Sequence, residues 1–348
     1  MTRLRGVFGQ GLVSVVAFTT IFAMAGIVLL PALDSTYAED RDEVQPDAAS
    51  AHAQAPAVTH NTWTSGAAMP TAIVEPGGTA VLKNEIYVVG GETSPGAAIA
   101  NTQIYNPTTN SWSAGVALPV ATSDGSAAVV KNILYIFGGY TNSGYTNAVW
   151  SFNPKTKAWS SQAAMPTTRD STVAVVEDNI IYVIGGEMNG NRFDTVEAYD
   201  PATDTWTEEA PLLNGKSEPT GGLVGKTIVV ADGFTSSGDT GDNEGYDAAT
   251  NSWKAYKADP TPRNAACGGS IGSMFYVAGG YDGGGDGTPA DSLTESFKLS
   301  KDAWATLASM PQAEAFGGSA VYDGQLYCIG GWSTFHGTVL DNVQIYQP

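Results

Sequence analysis

The chain has 348 residues, of which 43% are hydrophobic and 15% charged, so it is long enough to bury a large core as one extended domain or two ordinary ones. Its formal net charge of -19 repels phosphate backbones, and its few basic residues are scattered and do not form a patch, which makes nucleic acid a poor partner. The 41 glycines, 15 tyrosines and 8 tryptophans favour many short strands joined by tight turns, because glycine supplies the positive φ that such turns need.

The N-terminal segment is typical of an export signal. Arg3 and Arg5 precede an uncharged stretch, residues 6–33, which is longer than the roughly 7 to 15 apolar residues usual for a cleaved signal. Residues 1–38 are therefore predicted to be either a signal peptide or a retained membrane anchor. Residues 39–60 have the composition of a disordered acidic linker. We expect the chain to lie outside the cytoplasm, whether secreted, periplasmic or anchored at the cell surface.

From residue 61 the chain repeats itself with a period near 50 residues. Tryptophans recur at intervals of 47 to 51 residues, at Trp63, Trp112, Trp159, Trp206, Trp253 and Trp304. Between them runs a strand that ends in paired glycine: EIYVVGG to Gly91, ILYIFGG to Gly139, IIYVIGG to Gly186, MFYVAGG to Gly280 and QLYCIGG to Gly331. The fourth copy, TIVVADG, is degenerate and carries Asp232 in place of the first glycine.

This pattern resembles the kelch repeat, and the resemblance covers residues 61–348. It implies an all-β, six-bladed β-propeller, similar in architecture to the central domain of galactose oxidase. The physics agrees, because a four-stranded sheet with two apolar faces can bury both only against neighbouring sheets. Six such sheets are therefore expected to stack in a ring.

The strand count predicts how the ring closes. The last repeat supplies three strands and the chain then stops at Pro348, whereas Trp63 stands in a tryptophan strand with no preceding repeat. An unpaired third strand would leave an exposed edge. The strand around Trp63 is therefore predicted to pair into the last blade.

Candidate ligand contacts lie in two loops per blade that are expected on one face, where binding residues concentrate. The first set follows the glycine pairs: Glu92, Tyr140, Glu187, Phe234, Tyr281 and Trp332. The second set stands 17 residues before each final glycine: Val74, Thr122, Arg169, Lys216, Arg263 and Glu314. Aromatic faces bracketed by charges suit a sugar ring or an extended peptide. The alternative is that most of these side chains only pack the loops.

Three of these candidates, Arg169, Lys216 and Arg263, are basic. On an otherwise acidic protein they are predicted to form an arc that attracts a carboxylate, bidentately through the two arginines. Asp124 and Glu218 stand two residues further along the second set of loops. Solvated carboxylates are the preferred interpretation of these two, over a cation site or an acid-base pair.

The sequence predicts no cofactor and no metal centre. A copper site like that of galactose oxidase needs more than one histidine ligand, whereas His52 and His60 precede the repeats and leave His336 alone. The sequence has no phosphate-binding glycine loop and no zinc spacing. The acidic loops around Asp239 and Asp282 offer oxygen ligands, so calcium binding stays an alternative, but they lack the spacing of an EF-type loop and turn chemistry explains them more simply.

The two cysteines, Cys267 and Cys328, are expected at core positions of adjacent blades. Packed sheets lie roughly 10 Å apart, which is too far for a disulfide. Both are therefore predicted to be small buried hydrophobic side chains.

Three functions remain open. The first is an extracytoplasmic binding protein whose loop face holds a peptide, protein or glycan, because no catalytic constellation is visible. The alternative is a carbohydrate-active enzyme resembling the kelch-type sialic acid mutarotases, with Arg169 and Arg263 on a carboxylate between Glu187 and Glu314. The short, nearly uniform repeats disfavour that enzyme. The third is a structural or adhesive surface protein.

Overall fold

The structure, a computed structural model, describes residues 60–94, 96–283 and 287–348. Residues 1–59, which include the predicted signal peptide or anchor and nearly all of the predicted linker, lie outside the described residues. Within the described ranges no helix is long and apolar enough to cross a membrane.

Six four-stranded antiparallel sheets, here called blades 1 to 6, follow one another along the chain. Blade 1 comprises Gly78–Leu82, Glu85–Val89, Thr102–Asn106 and Ser111–Ala114. Blade 2 comprises Ser126–Val130, Ile133–Phe137, Val149–Asn153 and Ala158–Gln162. Blade 3 comprises Val173–Glu177, Ile180–Ile184, Val196–Asp200 and Thr205–Glu208. Blade 4 comprises Thr220–Val224, Thr227–Ala231, Asn243–Asp247 and Ser252–Tyr256. Blade 5 comprises Cys267–Ile271, Met274–Ala278, Thr294–Lys298 and Ala303–Thr306. Blade 6 comprises Gly318–Tyr322, Gln325–Ile329, Val343–Gln347 and Thr62–Ser65.

Blade 6 is built from both ends of the repeat region. The strand Thr62–Ser65 pairs antiparallel with Val343–Gln347, and Trp63 lies opposite Tyr346. The rings of these two residues are 5.1 Å apart. The prediction that the strand around Trp63 completes the last blade is therefore confirmed.

The blades pack against one another in a continuous circuit. Blade 6 contacts blade 5 through Tyr346 and Tyr276, whose rings are 5.9 Å apart. It also contacts blade 1, where Tyr327 lies 6.2 Å from Tyr105 in a core shared with Ile86. Apolar side chains on both faces of each sheet are thus removed from water, which is the reason predicted for stacking the sheets in a ring.

The recurring tryptophans tie each outer strand to the segment that enters the same blade. Every indole N–H donates to a backbone carbonyl 2.8 to 3.0 Å away, as Trp206 does to Ala163 and Trp63 to Ala308. Each ring also packs on the aromatic residue of the third strand, as Trp206 does on Tyr199 at 4.9 Å. One tryptophan per repeat therefore fixes both the outer strand and the linking segment.

The paired glycines stand where neighbouring blades approach most closely. Gly90 has a φ of 67°, and a Cβ there would lie 2.1 Å from the carbonyl oxygen of Thr122, in the segment that enters blade 2. A side chain would therefore meet both a strained backbone and a steric clash. Glycine at this position therefore allows the two backbones to approach where a side chain would collide.

Cys267 and Cys328 form a disulfide, so the prediction of two unpaired cysteines is wrong. Their Cα atoms are 5.7 Å apart, well below the spacing of flat stacked sheets. Cys267 begins the inner strand of blade 5, where the sheets converge, and the next residue, Gly268, donates its amide to Ser319 Oγ of blade 6 at 3.0 Å. A mean sheet spacing does not describe the narrow end of a wedge.

Candidate functional site

Two loops from each blade lie together on one face of the propeller. One follows the glycine pair, and the other is the entering segment, which leads from the outer strand of one blade to the inner strand of the next. Isolated bridges join them, as between Asp170 and Glu187 and between Ser217 and Phe234. Three of the loops after the glycine pair form short hairpins: Tyr140–Thr141 with Gly144–Tyr145, Glu187–Met188 with Asn191–Arg192, and Phe234–Thr235 with Gly238–Asp239.

Six equivalent residues, one per entering segment, form a ring that we call the mouth ring: Glu75, Asp124, Ser171, Glu218, Ala265 and Phe316. All six have a positive φ, between 47° and 60°. Each amide donates to the carbonyl of the preceding member at 2.8 to 3.1 Å, and the amide of Glu75 closes the circuit on Phe316. The left-handed backbone is therefore stabilised by a hydrogen bond at every position of the ring.

A cavity of about 220 Å³ opens at the mouth ring and extends between the inner strands. The strand residues that line it are mostly small, among them Gly78, Ala127, Ala174, Gly221 and Gly318. No lysine, arginine or histidine is among the described residues that line the cavity. Its polar lining therefore comes from carboxyl groups, hydroxyl groups and backbone.

Four carboxyl groups, one from each of the segments that enter blades 1 to 4, lie at the mouth ring: Glu75, Asp124 and Glu218, which line the cavity, and Asp170, beside Ser171. Ser171 Oγ lies 2.7 Å from Asp124 and 3.2 Å from Asp170. The interpretation of Asp124 and Glu218 as separate solvated carboxylates is therefore wrong. Among the described residues, no group of three or more acidic, histidine or cysteine side chains is arranged to hold a metal ion.

These carboxyl groups are poorly solvated and repel one another. Burial raises the pKa of Asp124 to about 6. Burial, with the charges of Asp124 and Glu187, raises the pKa of Asp170 to about 9. The pKa values of Glu75 and Glu218 also lie well above the usual range, first because of burial and then because of the neighbouring Asp124. The mouth therefore holds protons near neutral pH that a cation can replace.

The opposite side of the mouth ring is aromatic. We call Tyr281, Phe316, Trp332, Phe335 and His336 the aromatic patch. Its rings lie 4.0 to 6.3 Å from one another, with Phe316 5.3 Å from Trp332 and Phe335 4.8 Å from Tyr281. Tyr281 and Trp332 are buried and support Phe316 and Phe335, which stay partly exposed. Two predicted ligand contacts thus form the base of the patch.

The predicted basic arc is a row of buried ion pairs. Arg169, Lys216 and Arg263 are each 0% exposed. Each pairs with a glutamate from the third strand of its own blade: Arg169 with Glu197 at 3.0 Å, Lys216 with Glu244 at 2.8 Å, and Arg263 with Glu295. These side chains fasten the entering segments to their blades. Their binding of a ligand carboxylate stays a prediction.

The repeats themselves contain a signal for these pairs. In blades 3, 4 and 5, where the entering segment carries a basic residue, the third strand has glutamate at its second position, in VEAYD, NEGYD and TESFK. Blade 6 has Glu314 instead, which accepts a hydrogen bond from Gln344 in the same strand position at 2.6 Å. In blade 1 the matching residue is Ile73 and not Val74, because Ile73 accepts the hydrogen bond from the glycine pair.

Replacing Arg169 by methionine is expected to destabilise the fold by about 3 kcal/mol, because the Glu197 carboxylate is left buried without its cation. The double variant Arg169→Met with Glu197→Gln is expected to recover most of that loss, since Thr167 Oγ1, 2.7 Å from Glu197, keeps an acceptor. Urea denaturation at pH 7 measures both. A single variant as stable as the wild type would contradict the account.

The other predicted contacts divide into internal and exposed groups. Glu92 is buried and accepts hydrogen bonds from Ser123 and Gly96. Glu314 is also buried, which raises its pKa to about 8, and Asn342 donates to it at 2.7 Å. Tyr140, by contrast, is 37% exposed.

Two half-buried candidates, Glu187 and Phe234, both contact Arg192, a residue that the sequence analysis missed. Arg192 lies 3.4 Å from Glu187 and stacks 4.7 Å from the centre of the Phe234 ring. It stands at the end of the blade 3 hairpin, opposite Glu187 in the strand pairing. The alternation of charge across a two-residue hairpin is the signal that would have identified it.

Comparison with known proteins agrees with this architecture. The family model of the KLHDC2/KLHL20/DRC7 Kelch-repeats domain matches residues 57–222, and that of the Kelch motif matches residues 262–311 and 315–348. The chain belongs to the kelch-repeat family. No curated protein matches it.

A solved structure titled "Structure of YjhT" is similar to this kelch propeller. The TM-score is 0.70, with 80% of this chain and 96% of that chain covered at 18% sequence identity. At that identity the likeness shows the fold alone. Kelch propellers are scaffolds on which either binding or catalytic sites can be built, so the function must be argued from the mouth ring and its surroundings.

Proposed function

We propose that this kelch propeller is an extracytoplasmic binding protein that holds a peptide or protein on its loop face, with a cationic side chain of the ligand in the mouth ring. The observation that carries the proposal is the convergence of Glu75, Asp124 and Glu218 on a cavity whose described lining has no basic residue, with Asp170 beside the lining residue Ser171. An ammonium or guanidinium group that enters the ring meets carboxyl groups that form no ion pair with a described residue, in a poorly solvated site. Such contacts are stronger than in open water.

The aromatic patch supplies the second half of the recognition. Phe316 belongs to the mouth ring itself and faces the same cavity as the carboxyl groups. A cation on a long apolar stem can place its charge on the carboxylates and its methylene groups on the aromatic ring. Lysine and arginine side chains have this form.

Affinity for a lysine-containing peptide is expected to rise with pH between about 6 and 9. The carboxyl groups attract a cation only when ionised, and their raised pKa values, about 6 for Asp124 and about 9 for Asp170, keep part of the site protonated at neutral pH. Each proton released on binding contributes up to about tenfold in affinity per pH unit. Calorimetric titration across this range checks the trend, and an affinity that falls with pH would contradict it.

The proposed location outside the cytoplasm is supported by the disulfide between Cys267 and Cys328. Disulfides persist mainly in oxidising compartments such as the periplasm and the exterior of the cell. The export signal predicted for residues 1–38 agrees with that environment.

A peptide and glycan array tests the proposal. Wild-type protein is expected to select basic peptides, and the variant Glu75→Gln with Glu218→Gln to lose at least about tenfold in affinity for them. The control variant, Asp178→Asn with Glu208→Gln, removes the same formal charge at exposed positions and is expected to bind like the wild type. Selection of neutral glycans, unchanged by the mouth variant, would overturn the proposal.

Carbohydrate-active catalysis is the second candidate, favoured by the separation of two carboxyl pKa values. The pKa of Asp124 is about 6 and that of Asp170 about 9. At a pH between these values Asp124 is ionised and Asp170 protonated, as in a catalytic base and acid whose environments differ. Such a pair is expected to accelerate the interconversion of sugar anomers, and Asp170→Asn to abolish the effect. Proton NMR of reducing sugars with and without protein decides it, because an unchanged rate excludes this activity for the sugars tested.

A further inference from the structure

The contact between blades 4 and 5 departs from its counterparts at two facing positions. In blade 5 the first glycine of the pair, Gly279, lies against Met310 in the segment that enters blade 6. A Cβ at Gly279 would lie 3.1 Å from Met310 Sδ. Blades 2, 3 and 6 repeat this arrangement with Met165, Leu212 and Met69. In blade 4 the glycine position is Asp232 and the methionine position is Asp259.

Both aspartates keep the backbone of the residues they replace. Asp232 has a φ of 61°, against 68° for Gly279. The amide of Asp259 donates to the preceding blade at 2.8 Å, as the amide of Met310 does. Two carboxyl groups thus occupy the positions of a glycine and an apolar side chain, while the backbone conformation and its hydrogen bond are the same as in blade 5.

The two carboxyl groups are buried beside a single guanidinium. Asp232 is 0% exposed and Asp259 3%. Arg263 lies 3.2 Å from Asp259 and 3.9 Å from Asp232, and it also pairs with Glu295. Neither oxygen of Asp232 has a hydrogen-bond partner among the described groups. Three carboxyl groups therefore share one arginine in a buried site.

The surrounding charges do not balance this cluster. The charged groups that face Asp232 are Asp259 and Arg263 from the segment entering blade 5 and Lys216 from the segment entering blade 4. Arg263 also pairs with Glu295 of blade 5, and Lys216 pairs with Glu244. Four carboxyl groups against two cations leave two negative charges in excess if all are ionised. A buried excess of charge is strongly unfavourable, so at least one carboxyl group retains a proton.

We propose that the contact between blades 4 and 5 is pH-sensitive: a proton retained in the carboxyl cluster around Arg263 keeps the two blades together, and its loss at alkaline pH loosens them. Burial and the neighbouring Asp259 raise the pKa of Asp232 well above its usual range, and the pKa of Glu295 is raised to about 7. A carboxyl group with a raised pKa stabilises the folded state only while protonated. That stability is lost as pH rises toward the folded-state pKa.

The test restores the residues of the other repeats. In the full chain, Asp232→Gly with Asp259→Met is compared with wild type by urea denaturation from pH 6 to 10. The ratio of wild-type to variant unfolding constants is expected to rise by up to about tenfold per pH unit while one proton is lost. An exposed control, Glu208→Gln, is expected to follow the wild-type curve. A constant ratio at all pH values would overturn the proposal.

A second variant covers the case in which the double variant does not fold. Asp232→Asn keeps the size of the side chain and tolerates the left-handed backbone, and it is expected to remove much of the pH dependence. Hydrogen exchange, corrected for the intrinsic rate at each pH, is expected to show protection lost first in residues 227–265 of the wild type. Titration of Asp232→Asn identical to that of the wild type, or uniform loss of protection, would refute the proposal.

Discussion

Deleting the strand Thr62–Ser65 is expected to cost at least about 5 kcal/mol, which is a large part of the stability of a typical domain. The deletion removes Trp63, whose packing against Tyr346 and bond to Ala308 make it comparable to buried tryptophans that cost about 3 to 5 kcal/mol on truncation. It also leaves the strand Val343–Gln347 as an exposed edge, which promotes association between chains.

Urea denaturation and light scattering measure this effect. The matched control is Trp206→Ala, which removes an equivalent indole from blade 3 but leaves every strand paired. The deletion is expected to be less stable than this control and to aggregate at concentrations where the control does not. Equal stability of the two would show that the N-terminal strand is not what closes the ring.

Replacing both Cys267 and Cys328 by alanine is expected to lower stability by about 4 kcal/mol. The disulfide closes a loop with a sequence separation of 61 residues, and the loss of chain entropy in the unfolded state grows with loop length. The bridge also joins blade 5 to blade 6, the blade assembled from both ends of the repeats. Its loss therefore weakens the ring next to its point of closure.

Reductant provides the control for the disulfide. Wild-type protein unfolded in urea with a thiol reductant is expected to match the double alanine variant, whereas the variant itself is expected to be unaffected by reductant. A variant that retains wild-type stability in oxidising buffer would contradict the assigned role of the bridge.

The blade pattern follows from the sequence because one physical requirement recurs six times. All six repeats have a tryptophan on the outer strand, and five of them also have a glycine pair preceded by a tyrosine. The pattern therefore stays recognisable although the fourth repeat departs from it. The role of Trp63 follows in the same way, since an unpaired strand at the other end of the chain needs a partner. The blade pattern is a local property of each repeat, and the pairing of the Trp63 strand follows from the number of strands.

The candidate site follows less directly because it depends on distances between repeats. The sequence alone predicts Arg169 and Lys216 to be binding residues. The structure shows that they pair with Glu197 and Glu244 from the third strands of their blades. Asp124 and Glu218 stand 94 residues apart in the sequence and meet only through the curvature of the ring. The prediction of two unpaired cysteines failed for a related reason, since the spacing of flat stacked sheets does not hold near the axis of the propeller, where the blades converge. Comparing equivalent positions across all repeats would have revealed the ion pairs but not the mouth ring.

Recognition of a cation by the mouth ring is tested by calorimetric titration with an array-selected basic peptide and with the same peptide after acetylation of its lysines. Acetylation keeps the stem and removes the charge. We expect the unmodified peptide to bind, with affinity lost on acetylation and in the Glu75→Gln, Glu218→Gln variant. Equal binding of the two peptides would show that the carboxyl groups of the mouth ring do not recognise a cation.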